Sequence, residues 1–318
     1  MPSTSVSRRT FVKGLAAASL LPLAPAAAPA QPRPAVPRTA LPPGRINLLT
    51  ANIRVALPED EAAGIGWSQR RELCLDVIAA QQPDIVCYQE TLWGQVEDLK
   101  ARFRDYAFFG FEGPEMDGKL DGYHGIAKNV LMFARDRFEP VTCGGFWLSE
   151  TPHLPGSMSW ETARARHVNW VRLKERATGR EFRVLTTHLD HKSQPARERQ
   201  TRLIVDEAAL YADTFPQLLA GDFNARLANP LMEIIRSGGW KDTYEEVHGP
   251  GDPGFTTHRF LGEAYPASLA PRQPPGRIDF IFSRGPVKTL ASRIVKDSRD
   301  GRYPSDHYFL SAQVELTA

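Results

Sequence analysis

The sequence predicts an α/β fold built from two packed, mixed β-sheets with helices outside them. Three observations point there. Short apolar runs recur along the chain with the length of strands rather than helices. Two segments, one early and one central, instead carry helical spacing. The strand-like runs come in series, which suits two stacked sheets.

Taken in order, residues 46–51 (Ile-Asn-Leu-Leu-Thr-Ala) read as a buried strand ending at Asn52. Ser68 is placed to cap a helix whose apolar positions include Leu73, Val77 and Ile78, and Pro83 ends it. Residues 85–88 form the next strand, with Gln89 and Glu90 at its exit, and residues 130–133 a third. Residues 168–173 and 182–187 flank Thr178-Gly179, a hairpin signal. Residues 197–211 read as a helix with Leu203, Ile204 and Leu210 inward, and residues 217–220, 278–282 and 308–316 supply late strands. No boundary is visible inside 45–318, so that span reads as one domain.

The amino-terminal segment reads as an address. Ser7-Arg8-Arg9-Thr10-Phe11-Val12-Lys13 matches the twin-arginine export pattern, an Ala/Leu-rich stretch follows, and Ala28-Pro29-Ala30 is a cleavage candidate. The plainer reading is a disordered tail with a chance arginine pair; the order of basic, apolar and small residues favours a signal peptide over 1–30. Five prolines between Gln31 and Gly44 mark 31–44 as an extended linker. The expected destination is periplasmic or secreted, through the twin-arginine machinery, with no stable membrane span in the mature chain.

Removing residues 1–30 takes the 39 basic residues to 36, against 37 acidic ones, a net charge of −1. The pI near 8.4 therefore belongs to the precursor. A near-neutral mature chain lacks the global positive field of a strong nucleic-acid binder, although a local basic patch would serve. Cys74, Cys87 and Cys143 lack metal-ligand spacing; Cys74 and Cys87 sit in apolar segments and read as buried thiols, with one disulfide after export as the alternative.

Chemistry-bearing residues punctuate the ends of these strands. Asn52, Gln89-Glu90, Thr187-His188-Leu189, Gly221-Asp222-Phe223-Asn224, Arg277-Ile278-Asp279-Phe280 and Ser305-Asp306-His307 follow one another in the chain. Singly each has an ordinary explanation: a turn asparagine, an exposed strand-end carboxylate, an Asx-turn, a structural Asp–His hydrogen bond. As a series they resemble the endonuclease/exonuclease/phosphatase superfamily of metal-dependent phosphoesterases, over about residues 45–318.

The resemblance implies a four-layer α/β sandwich and hydrolysis of a phosphoester by metal-assisted attack of water. It implies metal ligation by Glu90 and Asp306, with Asn52 near the metal or phosphate. By the same likeness Asp222 positions or deprotonates the attacking water, Asn224 binds phosphate or metal, and His188 faces the scissile phosphate. Asp279 beside His307 would favour the imidazolium and orient it toward a phosphate oxygen. Oxygen donors suit Mg2+, with Mn2+ or Ca2+ as alternatives.

The periphery is less fixed by sequence. Gly144 to Pro152 resembles a bacterial subgroup in which a Thr stands where this chain has Gly145. Arg166 is a phosphate-binding candidate or a surface ion pair. His258 would line the pocket from a loop, with Arg259 in place of that subgroup's Gly. Asp190 and His191 read as rim or surface residues. Trp67, Trp93 and Trp160 could stack on a base or sugar, core packing being the simpler reading. The context of Arg277-Ile278-Asp279 lacks the motif expected of inositol polyphosphate phosphatases, and no long apolar hairpin suggests a membrane-acting sphingomyelinase. A phosphodiesterase or nuclease is the first expectation, its substrate a phosphoester, with nucleic acid among the candidates. A non-catalytic binding module that kept the fold is the alternative from another class.

Overall fold

The computed structural model describes residues 38–118, 126–251, 254–269 and 275–317. The proposed signal peptide and linker residues 31–37 lie outside them. The strands are β1 (Arg45–Asn52), β2 (Ile85–Gln89), β3 (Tyr106–Phe109), β4 (Leu131–Ala134), β5 (Phe138–Trp147), β6 (His167–Glu175), β7 (Glu181–His188), β8 (Gln217–Asp222), β9 (Lys241–Asp242), β10 (Asp279–Arg284), β11 (Val287–Val295) and β12 (Phe309–Leu316). The helices are α1 (Pro58–Ala62), α2 (Trp67–Ala80), α3 (Trp93–Arg102), α4 (Pro114–Asp117), α5 (Gln194–Ala208), α6 (Leu231–Ser237), α7 (Thr243–His248) and α8 (Tyr265–Ser268).

The strands form two six-stranded sheets, ordered β11-β12-β1-β2-β4-β3 and β5-β6-β7-β8-β10-β9. Each is mixed. β1 runs parallel to β2 and β7 parallel to β8, while the other named pairs are antiparallel. The sheets stack through β1, β2, β7 and β8, with helices on their outer faces, giving the expected α/β sandwich.

Burial follows strand periodicity. In β8, Leu218 and Ala220 enter the core between the sheets, whereas Leu219 points to the second core with Ile204 of α5 and Ile235 of α6. Strands covered on both faces must be apolar throughout, which is why residues 85–88 read as an unbroken run. Gly221 is demanded by close approach: a Cβ there would lie 2.0 Å from the carbonyl oxygen of Thr187 on β7. Between the sheets, the buried Gln89 amide donates to Thr186 Oγ1 at 3.2 Å and to the Cys87 carbonyl at 3.0 Å. It ties the sheets together beside Glu90.

Several local expectations need correction. α2 begins at Trp67 after Gly66, so Ser68 lies inside the helix and binds Glu61 instead of capping. α5 begins earlier than expected because Ser193 caps it, its hydroxyl accepting from the Ala196 N–H at 3.2 Å. That helix ends at Ala208, so Leu210 falls beyond it and is 76 % exposed. Cys74 and Cys87 are buried free thiols, and Cys143 is an exposed free thiol on β5. Among the described residues no helix is long and apolar enough to cross a membrane.

Candidate active site

The site forms where the two sheets present the same end. The parallel registers Asn52↔Gln89 and His188↔Asp222 bring the carboxyl ends of four strands to one rim. Antiparallel pairing of Asp279 with Asp222 adds the start of β10, and the turn into β12 adds Asp306 and His307.

Asn52 joins the halves. Its amide nitrogen donates to Glu90 Oε1 at 3.1 Å in its own sheet and to Asp222 Oδ2 at 3.0 Å in the other. Its oxygen accepts from the Arg54 N–H at 3.0 Å, and Glu90 Oε2 accepts from the Val55 N–H at 3.0 Å. Asn52 is thus a bridge between two carboxylates. Glu90 has φ 61, Arg54 φ 59, Asn224 φ 48 and Arg259 φ 49. All four side chains line the same cleft. Left-handed backbone is uncommon for non-glycine residues, and its concentration here marks a locally strained rim.

Asp222 Oδ1 accepts from the Asn224 N–H at 2.8 Å, which is an Asx-turn. The segment therefore turns here and does not stay extended. The turn instead carries the Asn224 amide back to His188 Nε2 at 2.9 Å and the Leu189 carbonyl at 3.0 Å. Burial, and then the neighbouring Asp279 and Glu90 carboxylates, push Asp222 up to about 7, against the opposing pull of His307 and the Asn224 N–H. A carboxyl titrating there is matched to general-base work near neutrality.

His307 Nδ1 lies 2.9 Å from Asp279 Oδ2, and His307 Nε2 is 4.0 Å from Asp222 Oδ2. Burial opposes its charge, but Asp279, Asp306 and Asp222 outweigh it and hold the imidazole well above the ordinary histidine range. His188 behaves oppositely: burial, then Arg166 and His307, hold it neutral. Two imidazoles a few residues apart in space are thus poised in different protonation states, one a cationic donor and one a neutral acceptor of the Asn224 amide.

The cleft has a volume of about 400 Å3. Glu90, Asp222 and Asp306 form its acidic side; Arg54, Arg164, Arg166 and Arg259 bring positive charge. Ligand-capable atoms of Glu90, His188 and Asp222 all lie within 4.8 Å of one another, as do those of Asp222, Asp279 and His307. None of the three cysteines lines the cleft. Burial together with Glu90 raises the Asp306 carboxyl, while His307, Arg54 and Arg70 pull it down. Crowded oxygen donors of this kind fit a hard divalent cation. Glu90 and Asp222 supply the oxygen donors of one such cluster, whereas Asp306 shares the cleft lining but belongs to neither cluster.

The peripheral residues divide. Arg166 does line the cleft; it is 7 % exposed, its Nη2 lies 3.2 Å from His191 Nδ1, and its Nε has no partner among the described residues. It is a buried cation rather than a surface ion pair. His258 is fully buried behind the wall, accepting from the Gly262 N–H at 3.2 Å and stacking 4.1 Å from the Tyr308 ring. Arg259, not His258, reaches the cleft. Asp190 is buried, contrary to the rim expectation, because its carboxylate accepts from Thr162 Oγ1 and three backbone N–H groups. His191 lines the cleft. Trp67 is buried, but Trp93 is 61 % exposed and Trp160 partly exposed, so core packing holds only for the first.

Comparison with known proteins places the fold in a family. The chain belongs to the endonuclease/exonuclease/phosphatase family, whose sequence pattern matches residues 49–307. Members of this family are phosphoester hydrolases, and that is the class of protein the fold and cleft define. A family protein of Bacteroides thetaiotaomicron has a similar structure: TM-score 0.75, 25 % identity, covering 87 % of this chain and 100 % of that one. The mannosyl-6-phosphatase Bt3783 of the same organism gives TM-score 0.73 and 26 % identity, covering 85 % and 99 %. Nocturnin of Drosophila melanogaster is 24 % identical over 299 aligned positions; the match takes in 82 % of this chain but only 44 % of that protein. The chain thus spans about half the length of the curated relative.

Proposed function

We propose that the mature chain is an exported, divalent-metal-dependent phosphoesterase, cleaving a phosphodiester as a phosphodiesterase or nuclease. One observation carries the reading: Asp222, pushed up to about 7, stands in hydrogen-bond contact with Asn52, which also binds Glu90. A candidate base is therefore linked through one amide to a candidate metal ligand. A bound Mg2+ would offset phosphate charge and activate water. The chain's own residues supply the rest. Glu90 and Asp306 would hold the ion, Asp222 would orient water and take its proton, His307 would donate to a phosphate oxygen, and Asn224 and His188 would hold the opposite side.

Phosphomonoesters form a second reading, favoured by the likeness to a mannosyl-6-phosphatase at nearly full coverage of that chain. The deciding experiment assays purified mature protein with Mg2+, Mn2+ and Ca2+ against plasmid DNA, RNA, nitrophenyl phosphodiesters, sphingomyelin and sugar 6-phosphates. Glu90→Gln keeps size and removes the charge, so turnover on the best substrate should fall by orders of magnitude. Full turnover after thorough chelation would refute the metal reading.

A further inference from the structure

We infer that Arg70 is a positioning residue that clamps together the two loops bearing the cation-holding side chains. Arg70 lies on α2, in phase with Leu73, Cys74 and Val77 of that helix's buried face, and is only 3 % exposed. A guanidinium so deeply buried is expensive unless satisfied, yet no carboxylate is within hydrogen-bond reach of it among the described residues. Its bonds go to three backbone carbonyls instead. Nη1 donates to Ile53 O and to Pro304 O, the latter at 3.0 Å, and Nη2 donates to Arg54 O at 2.6 Å. The Trp67 and Phe260 rings flank it at 5.2 and 6.0 Å.

Those carbonyls belong to two loops that are far apart in sequence. Residues 53–55 follow β1 and hold Glu90 through the Val55 N–H. Residues 304–307 precede β12 and carry Asp306 and His307. A planar fork spanning both fixes their separation, which sets the distance between the Glu90 and Asp306 carboxylates. Ser305 closes the same seam independently: its hydroxyl donates to Asn52 O at 2.7 Å and accepts from the His307 N–H at 3.3 Å. Without such ties, the like charges of Glu90 and Asp306, which line one cleft, would favour separation. Groups that orient metal ligands from behind typically change affinity by ~10–100-fold when removed.

This inference rests on the reading that a divalent cation binds at Glu90 and Asp306. The test is direct binding of Mn2+ to the mature chain, followed by calorimetry and electron paramagnetic resonance, beside thermal unfolding. Arg70→Met should weaken Mn2+ binding by ~10–100-fold and move the Mg2+ dependence of turnover to higher concentration. Arg70→Lys, with a point charge in place of the fork, should fall between. Arg71→Met, a neighbour on the exposed side, should bind like the parent. Parent-like Mn2+ affinity in folded Arg70→Met would overturn the clamp while leaving the metal reading standing. If Arg70→Met does not fold, Arg70→Lys and Ser305→Ala decide, and parent-like affinity in both overturns it. A parent chain that binds no Mn2+ would overturn the clamp and the metal reading together.

Discussion

At neutral pH the Asp222 carboxyl stands near half-protonation, because burial and the adjacent Asp279 and Glu90 carboxylates push it up to about 7. A bound cation would favour the deprotonated form. Asp222→Asn keeps the shape and the Asx-turn acceptor but cannot take a proton. Turnover should drop ~10²–10⁴-fold, the usual span for general-base assistance. Thermal unfolding should stay close to the parent's; a variant with parent-like turnover would remove Asp222 from the chemistry. Asp279 and His307 form one unit at 2.9 Å. The Asp279→Asn and His307→Ala defects should therefore be non-additive in a double-mutant cycle; additive losses would separate them. At this scale the sequence was informative where strand ends carry short polar motifs. The Asx-turn at Asp222 stood there only as the ordinary alternative to a site role; it forms, with a left-handed φ of 48 at Asn224, and the site geometry is built on it. Arg70 was left unread, although an arginine in phase with Leu73, Cys74 and Val77 is a signal that can be seen in the bare chain.

Strands buried on both faces were legible and edge strands were not. β1, β2, β7 and β8 show as apolar runs because helices or the other sheet cover each side. β5 and β11 edge their sheets and expose residues such as Glu139, Thr142, Lys288 and Arg293, so no such run betrays them. β9 has two residues and no pattern to read. The start of β6 carries a testable consequence. His167 is buried; its Nε2 accepts from the Asn129 N–H at 3.2 Å, and its ring lies among Phe111 and Trp147. Burial, then Arg166 and Lys128, push it down to about 3. Unfolded histidine titrates near 6.5. Between those values the unfolded chain binds a proton that the folded chain refuses, so this group's contribution is present above pH ~6.5 and is lost as pH falls toward ~3. The slope for one such proton is about 1.4 kcal/mol per pH unit. His167→Gln keeps an acceptor for the Asn129 N–H and removes the titration. Its unfolding free energy should fall less steeply on acidification from pH 6.5 to 4.5, and identical slopes in denaturant titrations would exclude His167 as the source.

For the whole molecule, the sandwich and its site were readable from the order of motifs; of the cleft's arginines, Arg166 and Arg259 drew notice but Arg54 and Arg164 did not, since they lie in loops without a motif. The proposed amino-terminal address belongs at this scale too. Replacing Arg8 and Arg9 together by Lys should hold the precursor inside the cell, measured by fractionation; undiminished export would defeat the twin-arginine proposal. A final consequence comes from the path of the chain. It lays down four strands of one sheet, crosses to build all six of the other, and returns with β11 and β12 to complete the first. Asp306 and His307 sit immediately before that closing strand. Half-made or clipped chains therefore lack Asp306, His307 and the seam that Ser305 closes, however well their earlier parts have folded. On the proposed reading, a chain cut before Ser305 should therefore be without turnover, however complete its earlier strands.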